Sequence, residues 1–267
     1  MTSVGINGLG RIGRLLTRRL FERHDARAAL RLTMCNEVAD AATVAHLLKY
    51  DSTHGRFSQP VITDGDHLNI VDQAVLLTHE TAQSKVRWSD RDVNIVIDCT
   101  GVEFNRSSAA QHLGGSVSRV MLSQPASTDV DGTIIWGLND STLTPDMSVI
   151  SAGSCTSNAL MPVLSVIDEA FGIRAGIVTT IHSAMNDQPV IDAYHHTDLR
   201  KTRAAFNSVI PVETGLAQGV ERFFPHLTHK ISARALRVPT LNVSSLDVVV
   251  SVDCDTTSDE VNATLRQ

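Results

Sequence analysis

The sequence predicts an α/β fold, with a mainly parallel sheet in the first part of the chain and an α+β arrangement of mainly antiparallel sheet in the second. In the first 151 residues, short apolar runs alternate with helical patterns, which is typical of parallel strands joined by crossover helices. Two later runs alternate apolar with polar residues, as strands with one wet face do: Ile231–Val238 and Ser245–Val252. The order of the motifs places the domain change near residue 151, which gives domains 1–151 and 152–267.

The composition is that of a folded globular protein. The 267 residues are 42% hydrophobic and 19% charged, and the net charge of −6 argues against nucleic acid as the main partner. No apolar run approaches the ~18 residues of a membrane span, so we expect no membrane partner. A strand-like run begins at residue 4, which leaves no room for a secretion signal. The four cysteines are scattered without a C-x-x-C pair, so we expect a reduced, cytoplasmic protein.

The chain begins with a glycine motif between a strand and a helix. A short strand over residues 4–7 leads directly to Gly8, Gly10 and Gly13 in the spacing G-x-G-x-x-G, and a helical pattern over 14–23 follows. Such glycines permit a tight turn and let the backbone approach a pyrophosphate at the helix N-terminus. The motif therefore predicts a Rossmann-type dinucleotide site.

An acidic residue follows the second predicted strand. That strand covers residues 30–35 and is followed by Asn36 and Glu37. A carboxylate about 20 residues past the glycines is the expected partner of an adenosine ribose 2′-hydroxyl. Glu37 would repel a 2′-phosphate, which favours NAD over NADP. The alternative is that Glu37 is a solvated loop carboxylate.

The rest of the first domain continues the alternation of strands and helices. A helix is expected over 40–50, with Asp40 as its N-cap. Residues 94–101 form an almost wholly apolar run, as a central parallel strand must, and it ends in Thr100 at the carboxyl edge where ligands bind in such sheets. The remaining expected elements are a polar loop over 51–57, short strands within 61–87, a helix over 106–113, and strands over 119–123, 133–139 and 148–151.

The candidate nucleophile lies at the start of a helix. Small polar residues precede Cys155, and apolar residues then recur at helical spacing as far as Phe171, with Gly172 as a natural stop. In the first turn, the Cys155 sulfur faces unpaired backbone N–H groups and the positive end of the helix dipole, which favours thiolate over thiol. The alternative is an ordinary packed cysteine.

A candidate base follows on the next strand. The apolar run over 176–182 is typical of a buried strand and ends in His182. A helix and a strand in succession can bring both ends to one sheet edge, which would place His182 beside Cys155. The pair would then be a nucleophile with its base.

A long polar stretch over 183–211 has no regular pattern, and such loops are commonly functional. Its charged residues indicate a solvated face or, alternatively, an anion site or subunit contact: Asp198, Arg200, Lys201 and Arg203. The adjacent His195 and His196 lack spaced carboxylates, so no metal site is predicted. Helices are expected over 215–223 and from Ser258 onward.

Motifs along the whole chain resemble, in order and spacing, the phosphorylating glyceraldehyde-3-phosphate dehydrogenase family: INGLGRIGR, KYDSTHGRF, DCTG, SCTSN, TTIHS, DLRKTRAA, PVETG and RVPTLNVS. Within that family, the erythrose-4-phosphate dehydrogenase branch is most similar in TIHSAMNDQPVIDAYH, in Asn36-Glu37 and in ERFFP. That branch implies a homotetramer and a role in pyridoxine biosynthesis.

The resemblance implies a reaction and a set of site residues. Cys155 would attack an aldehyde, His182 would take the proton and steady the oxyanion, and hydride would pass to NAD, leaving a thioester. Residues implied to bind the cofactor are Arg11 and Ile12 at the pyrophosphate, Glu37 at the adenosine ribose, and Thr100 and Ser123 in the cofactor cleft. Residues implied to bind anions are Ser154, Thr156, Thr214 and Gly215 at one site, and Arg237 at the substrate phosphate.

The chain also departs from the family pattern. The family motif SNASCTTN has Ala152-Gly153 in place of Asn-Ala here, and Ser157 in place of a threonine. Met185 and Asp187 replace threonines of glyceraldehyde-phosphate enzymes, as they do in the erythrose branch, and one extra residue lies near His196-Thr197. Family chains continue through further strands and a final helix, so the C-terminal part of the pattern is expected to be absent here, which would make the chain a fragment or a relative with impaired activity.

These observations predict NAD-dependent oxidation of D-erythrose 4-phosphate to 4-phosphoerythronate, with water cleaving the Cys155 thioester. One alternative is glyceraldehyde-3-phosphate oxidation with inorganic phosphate as the acyl acceptor. Another, of a different class, is an NAD-binding relative without catalytic activity.

Overall fold

The computed structural model describes residues 1–102, 105–195 and 198–266. The chain divides into two compact units, Met1–Ser154 and Cys155–Gln267, each with its own large sheet. The assignment of cofactor binding to residues 1–151 and of catalysis to 152–267 stays a prediction.

The described residues of the first unit form eleven strands and four α-helices. The strands are β1 (Thr2–Asn7), β2 (Leu30–Asn36), β3 (Tyr50–Asp51), β4 (Gly55–Arg56), β5 (Val61–Asp64), β6 (His67–Ile70), β7 (Gln73–Thr78), β8 (Ile95–Asp98), β9 (Arg119–Leu122), β10 (Gly132–Thr133) and β11 (Val149–Ser151). The helices are α1 (Arg11–Glu22), α2 (His24–Ala29), α3 (Ala41–Lys49) and α4 (Arg106–Ala109).

Nine of these strands form one sheet in the order β10-β11-β9-β8-β1-β2-β7-β6-β5. Every pairing from β10 through β7 is parallel, and only the two pairings at the β5 edge are antiparallel. The middle strands are apolar because helices and loops cover both faces of a parallel sheet; Ile6, Met34 and Val96 are fully buried. The mainly parallel sheet is therefore confirmed.

Two local predictions in this unit are wrong, for residues 133–139 and for residues 51–57. Residues 133–139 do not continue as a strand, because the Asn139 side chain accepts from Ile135 N and donates to the Thr133 carbonyl; such local bonds compete with a sheet ladder. The helix expected over 106–113 is present, as one α turn, α4, that continues directly into a 3₁₀ turn. The loop expected over 51–57 contains the small hairpin of β3 and β4. Asp40 caps α3 as expected, since its carboxylate accepts from Thr43 N at 2.9 Å.

The described residues of the second unit form three α-helices and four strands. The helices are α5 (Cys155–Phe171), α6 (Leu216–Phe223) and α7 (Ser258–Arg266); the strands are β12 (Ile173–Ser183), β13 (Ile210–Val212), β14 (Ile231–Val238) and β15 (Ser245–Val252). The sheet order is β13-β14-β12-β15, with β13–β14 and β12–β15 antiparallel. The mainly antiparallel second sheet is confirmed, although β14 pairs in parallel with β12.

Two details of this unit position the site. Gly172 has a φ of +66° and ends α5, so the chain turns at once into β12. Within the stretch over 183–211, Leu199–Thr202 forms a 3₁₀ turn and β13 begins at Ile210, so the expectation of an entirely irregular segment is wrong.

Candidate active site

Cys155 is the first residue of α5, and its side chain is exposed. The structure brings it to His182, which lies near the end of β12: the Cys155 Sγ is 3.5 Å from the His182 Nε2. The Thr156 Oγ1 lies 3.9 Å from the same sulfur. Helix start, sulfur and imidazole therefore meet as the sequence predicted for a nucleophile and its base.

A backbone carbonyl fixes the tautomer of His182. The His182 Nδ1 lies 2.8 Å from the Ser183 carbonyl oxygen, which can only accept, so Nδ1 carries the hydrogen. The Nε2 lone pair is then free to face the Cys155 sulfur. This is the arrangement that a general base for a thiol requires.

The two side chains shift one another's pKa in opposite directions. The hydrogen bond with His182 lowers the pKa of Cys155, and Thr156 contributes in the same direction against the opposing effect of burial. The hydrogen bond with Cys155 raises the pKa of His182, and the Ser183 carbonyl adds to this. Both shifts favour a thiolate beside an imidazolium near neutral pH.

The other cysteines have different surroundings. Burial raises the pKa of Cys35, and it raises the pKa of Cys99 to about 11. Cys254 is exposed, and its Sγ contacts the Phe171 carbonyl at 3.6 Å. Of the four, Cys155 alone combines exposure with a histidine contact.

Arg237 lies next to His182 across the β12–β14 pairing, where the two residues are direct partners in the register. Its side chain is 9% exposed, and its Nη1 is 2.5 Å from the Asp187 Oδ1. The other carboxylate oxygen of Asp187 lies 3.2 Å from the Lys201 Nζ. One carboxylate therefore bridges two cations beside the Cys155–His182 pair.

The residues predicted for the other anion site lie at two helix starts. Thr156 is in the first turn of α5, and Gly215 is the N-cap of α6. The Thr214 hydroxyl accepts from Leu216 N at 3.2 Å. The two helices pack closely, since a Cβ on Gly219 would lie 3.8 Å from the Ser157 hydroxyl. Ser154 directly precedes Cys155 but belongs to the first unit.

In the first unit, the glycine motif fits a pyrophosphate. Gly8 has a φ of +86°, and a Cβ there would lie 2.9 Å from Thr100 N. A Cβ on Gly13 would collide with the Gly8 carbonyl, whereas Gly10 has open space above it. Gly8 thus permits the tight turn, Gly13 permits close packing, and Gly10 lets a ligand approach the backbone, as a dinucleotide site requires.

The other predicted cofactor residues surround this motif. Arg11 and Ile12 form the first turn of α1, and the Ile12 side chain is exposed. The Glu37 Oε2 accepts from Leu9 N at 2.7 Å, so the carboxylate contacts the glycine loop itself. Ser123 follows β9 at the same carboxyl edge, where its N–H donates to the Asp98 carbonyl.

A buried polar network lies under this edge. The Asp98 carboxylate accepts from the Asn7 side chain and from the Thr100 hydroxyl, both at 2.7 Å, and Asn7 accepts from Asn36. Burial raises the pKa of Asp98, but the contact with His112 and the hydrogen bonds from Asn7 and Thr100 outweigh it and hold the pKa below its usual value. The network fixes the loop that carries Thr100.

Sequence reasoning missed three features of these sites. The Ser183 carbonyl that orients His182 has no signal in the sequence, because every residue has a backbone carbonyl. The ion pair between Asp187 and Arg237 joins residues far apart along the chain. The third is the network around Asp98, for which the sequence holds a signal: an acidic residue inside an apolar strand is a buried carboxylate that needs partners.

The described residues contain no group of three or more His, Cys, Asp or Glu side chains that could hold a metal ion. His195 is described, whereas His196 and the extra residue expected near Thr197 lie outside the described residues. No helix within the described ranges is long and apolar enough to cross a membrane.

Two family models match the chain. The NAD binding domain of glyceraldehyde 3-phosphate dehydrogenase matches residues 2–106, and the C-terminal domain of the same enzyme matches residues 154–267. The cofactor is therefore NAD. The expectation that the C-terminal part of the family pattern is absent is corrected, because the C-terminal domain is present in this chain. Both matches support NAD-dependent aldehyde dehydrogenase activity, and the chain belongs to the glyceraldehyde 3-phosphate dehydrogenase family.

Proposed function

We propose that the protein oxidises D-erythrose 4-phosphate to 4-phosphoerythronate with NAD, and that Cys155 and His182 are the catalytic residues. The observation that carries the proposal is the 3.5 Å contact between the Cys155 Sγ and the His182 Nε2, with Nδ1 held by a carbonyl. A thiol activated in this way attacks aldehydes readily, because the thiolate is the nucleophile.

The chain's own groups account for the proton movements. The Cys155 thiolate attacks the aldehyde carbon, and the His182 imidazolium transfers its Nε2 proton to the alkoxide that forms, which gives the neutral thiohemiacetal. As the thiohemiacetal is oxidised, the Nε2 takes the hydroxyl proton, and a thioester on Cys155 remains. Bound NAD supplies the hydride acceptor. Water then cleaves the thioester, releasing the carboxylic acid and restoring the thiol.

The substrate phosphate is assigned to Arg237. A guanidinium suits a phosphate because it can donate two parallel hydrogen bonds. Met185 has no hydroxyl that could bond the phosphate, and its side chain is 46% exposed. Arg237 would then carry more of the phosphate binding, and a looser hold tolerates an aldehyde one carbon longer. This supports erythrose 4-phosphate as the substrate.

The runner-up is oxidation of glyceraldehyde 3-phosphate with inorganic phosphate as acceptor. The start of α5 and the start of α6 favour it, since Thr156, Thr214 and Gly215 lie where backbone N–H groups can bind an anion. A cofactor-binding protein without catalysis is a third possibility. The homotetramer and the cytoplasmic location stay predictions.

The test is steady-state NADH production with each aldehyde, with and without added phosphate. We expect a higher kcat/KM for erythrose 4-phosphate and turnover that does not require phosphate. A preference for the three-carbon aldehyde that depends strictly on phosphate would establish the runner-up. No turnover of either aldehyde by a chain that binds NAD would support the non-catalytic alternative.

A further inference from the structure

The carboxylate of Asp187 occupies Arg237, the cation to which the substrate phosphate is assigned, and also contacts the neighbouring Lys201. Its Oδ1 lies 2.5 Å from the Arg237 Nη1 and its Oδ2 lies 3.2 Å from the Lys201 Nζ. Both distances are within the range of a hydrogen bond, and both join opposite charges. A phosphate that binds between the two cations must therefore displace this carboxylate or bind beside it.

The two partners differ in how firmly they are held. Arg237 projects from the middle of the sheet on β14, and its side chain is 9% exposed. Asp187 lies in the irregular segment after β12, and its side chain is 40% exposed. Strand and burial therefore hold Arg237, whereas the exposed Asp187 can move aside when another anion arrives.

The charge of Asp187 persists at neutral pH. Burial raises the pKa of this carboxyl, but the hydrogen bond and charge of Arg237, together with those of Lys201, outweigh burial and hold the pKa below its usual value. The group is therefore ionised at neutral pH, where the substrate phosphate is also an anion. Two anions then compete for the same pair of cations.

We propose that Asp187 is a specificity-determining residue that acts as a built-in competitor for the phosphate of the substrate. It lowers the affinity of the Arg237 site for phosphate esters and leaves the chemistry at Cys155 unchanged. This inference rests on the proposed function in one respect, that Arg237 receives the substrate phosphate. The opposite role is that Asp187 orders Arg237 and so strengthens phosphate binding.

Calorimetric titration with erythritol 4-phosphate separates the two roles. This probe carries the phosphate ester but has no aldehyde, so Cys155 cannot form an adduct with it. Replacing Asp187 by Asn removes the competing charge and retains the shape of the side chain. Because the bound phosphate is then no longer repelled by a carboxylate nearby, we expect the Kd to fall about tenfold. Asp187→Glu keeps the charge and should restore binding close to that of the wild type.

Asp192→Asn is the matched control for net charge. Asp192 lies in the same segment and pairs with Arg203 at 2.6 Å, so its replacement removes one negative charge without touching Arg237 or Lys201. We expect its Kd to stay within about twofold of the wild type, since exposed charges are screened by salt. An equal fall in Kd for Asp192→Asn and Asp187→Asn would overturn the inference.

Turnover supplies a second readout. If Asp187 only weakens ground-state binding, Asp187→Asn lowers KM for the phosphorylated aldehyde about tenfold with kcat nearly unchanged. An unchanged Kd in Asp187→Asn would overturn the inference, and a raised Kd would overturn it and show that Asp187 orders Arg237. If Asp187→Asn binds the probe more tightly while no variant oxidises erythrose 4-phosphate, the inference stands and the proposed function fails.

Discussion

His182 in the second unit and His112 in the first each have an imidazole close to a group that can lose a proton. The His182 Nε2 lies 3.5 Å from the Cys155 Sγ, and the His112 Nε2 lies 3.4 Å from the Asp98 Oδ2. The distances are nearly equal, yet the surroundings differ. Cys155 is exposed, whereas the side chains of Asp98 and His112 have no exposed surface.

The other ring nitrogen distinguishes the two histidines. The His182 Nδ1 donates to the Ser183 carbonyl, which leaves Nε2 as the basic nitrogen. The His112 Nδ1 instead accepts from the Trp88 Nε1 at 3.1 Å, so in the neutral ring the hydrogen is on Nε2, toward Asp98. The contact between the His112 Nε2 and the Asp98 carboxylate does not have hydrogen-bond geometry. The neighbour of Nδ1 thus decides whether a histidine has a basic nitrogen to offer.

The comparison teaches that proximity to an acid does not identify a catalytic histidine. A base needs a free lone pair, and it needs a path for substrate to reach its partner. His182 and Cys155 meet both conditions, whereas His112 and Asp98 meet neither. We therefore expect substitutions at the first pair to change chemistry and substitutions at the second to change stability.

The largest expected effect is on the chemical step. Replacing His182 by Asn removes the base, and a general base contributes about 10²–10⁴-fold, so the single-turnover rate should fall by that factor. His226→Asn is the control, because His226 is a hydrogen-bonded histidine of the same unit that pairs with Asp168 at 2.6 Å. An unchanged rate in His182→Asn would make His182 a packing residue.

The next largest effect is on stability, through the buried pair of Asp98 and His112. Replacing Asp98 by Asn places an amide donor among groups that already donate, which should lower the free energy of unfolding by about 1–3 kcal/mol near pH 7. Denaturant titration of the variant measures this loss. Asp90→Asn is the control, since Asp90 forms an exposed pair with Arg87 at 3.0 Å.

The same substitution has a pH signature. Because the pKa of Asp98 is lower in the folded chain, its ionised form stabilises the fold above the pKa of the unfolded state, and this stabilisation is lost as pH falls through the folded pKa. Asp98→Asn should therefore lose less stability on acidification than the wild type. An identical acid limb in both proteins would contradict the role assigned to Asp98.

The features that could be predicted from the sequence are those that depend on neighbouring residues. The glycine spacing, the Asp40 cap and the start of a helix at Cys155 all follow from short-range rules. The tautomer of His182 does not, because it depends on a backbone carbonyl. The apolar composition of residues 133–139 predicts a strand, but the Asn139 side chain bonds to the nearby backbone and holds it in a turn.

A smaller effect is expected for cofactor choice. Glu37 can accept from a ribose diol but repels a phosphate, so NAD should bind more tightly than NADP. Glu37→Gln keeps an oxygen that can accept from Leu9 N but removes the charge. The ratio of the Kd for NADP to the Kd for NAD should therefore fall about tenfold. Fluorescence titration measures both affinities, with Glu22→Gln at the far end of α1 as control. Equal affinities in the wild type would show that Glu37 does not select between the two cofactors.

If His182 holds Cys155 as a thiolate, Cys155 should be alkylated before the other cysteines, and mass spectrometry identifies which cysteine is labelled. Near pH 7, Cys155 should react faster than Cys254, which is also exposed, and much faster than the buried Cys35 and Cys99.

The pH dependence of that reaction completes the test. Because the pKa of Cys155 is lowered, its alkylation should reach half its maximum at a pH below the ~8.5 of an ordinary thiol. In His182→Asn the midpoint should move to higher pH. Labelling of Cys155 no faster than that of Cys254, with the same midpoint in both proteins, would contradict the claim.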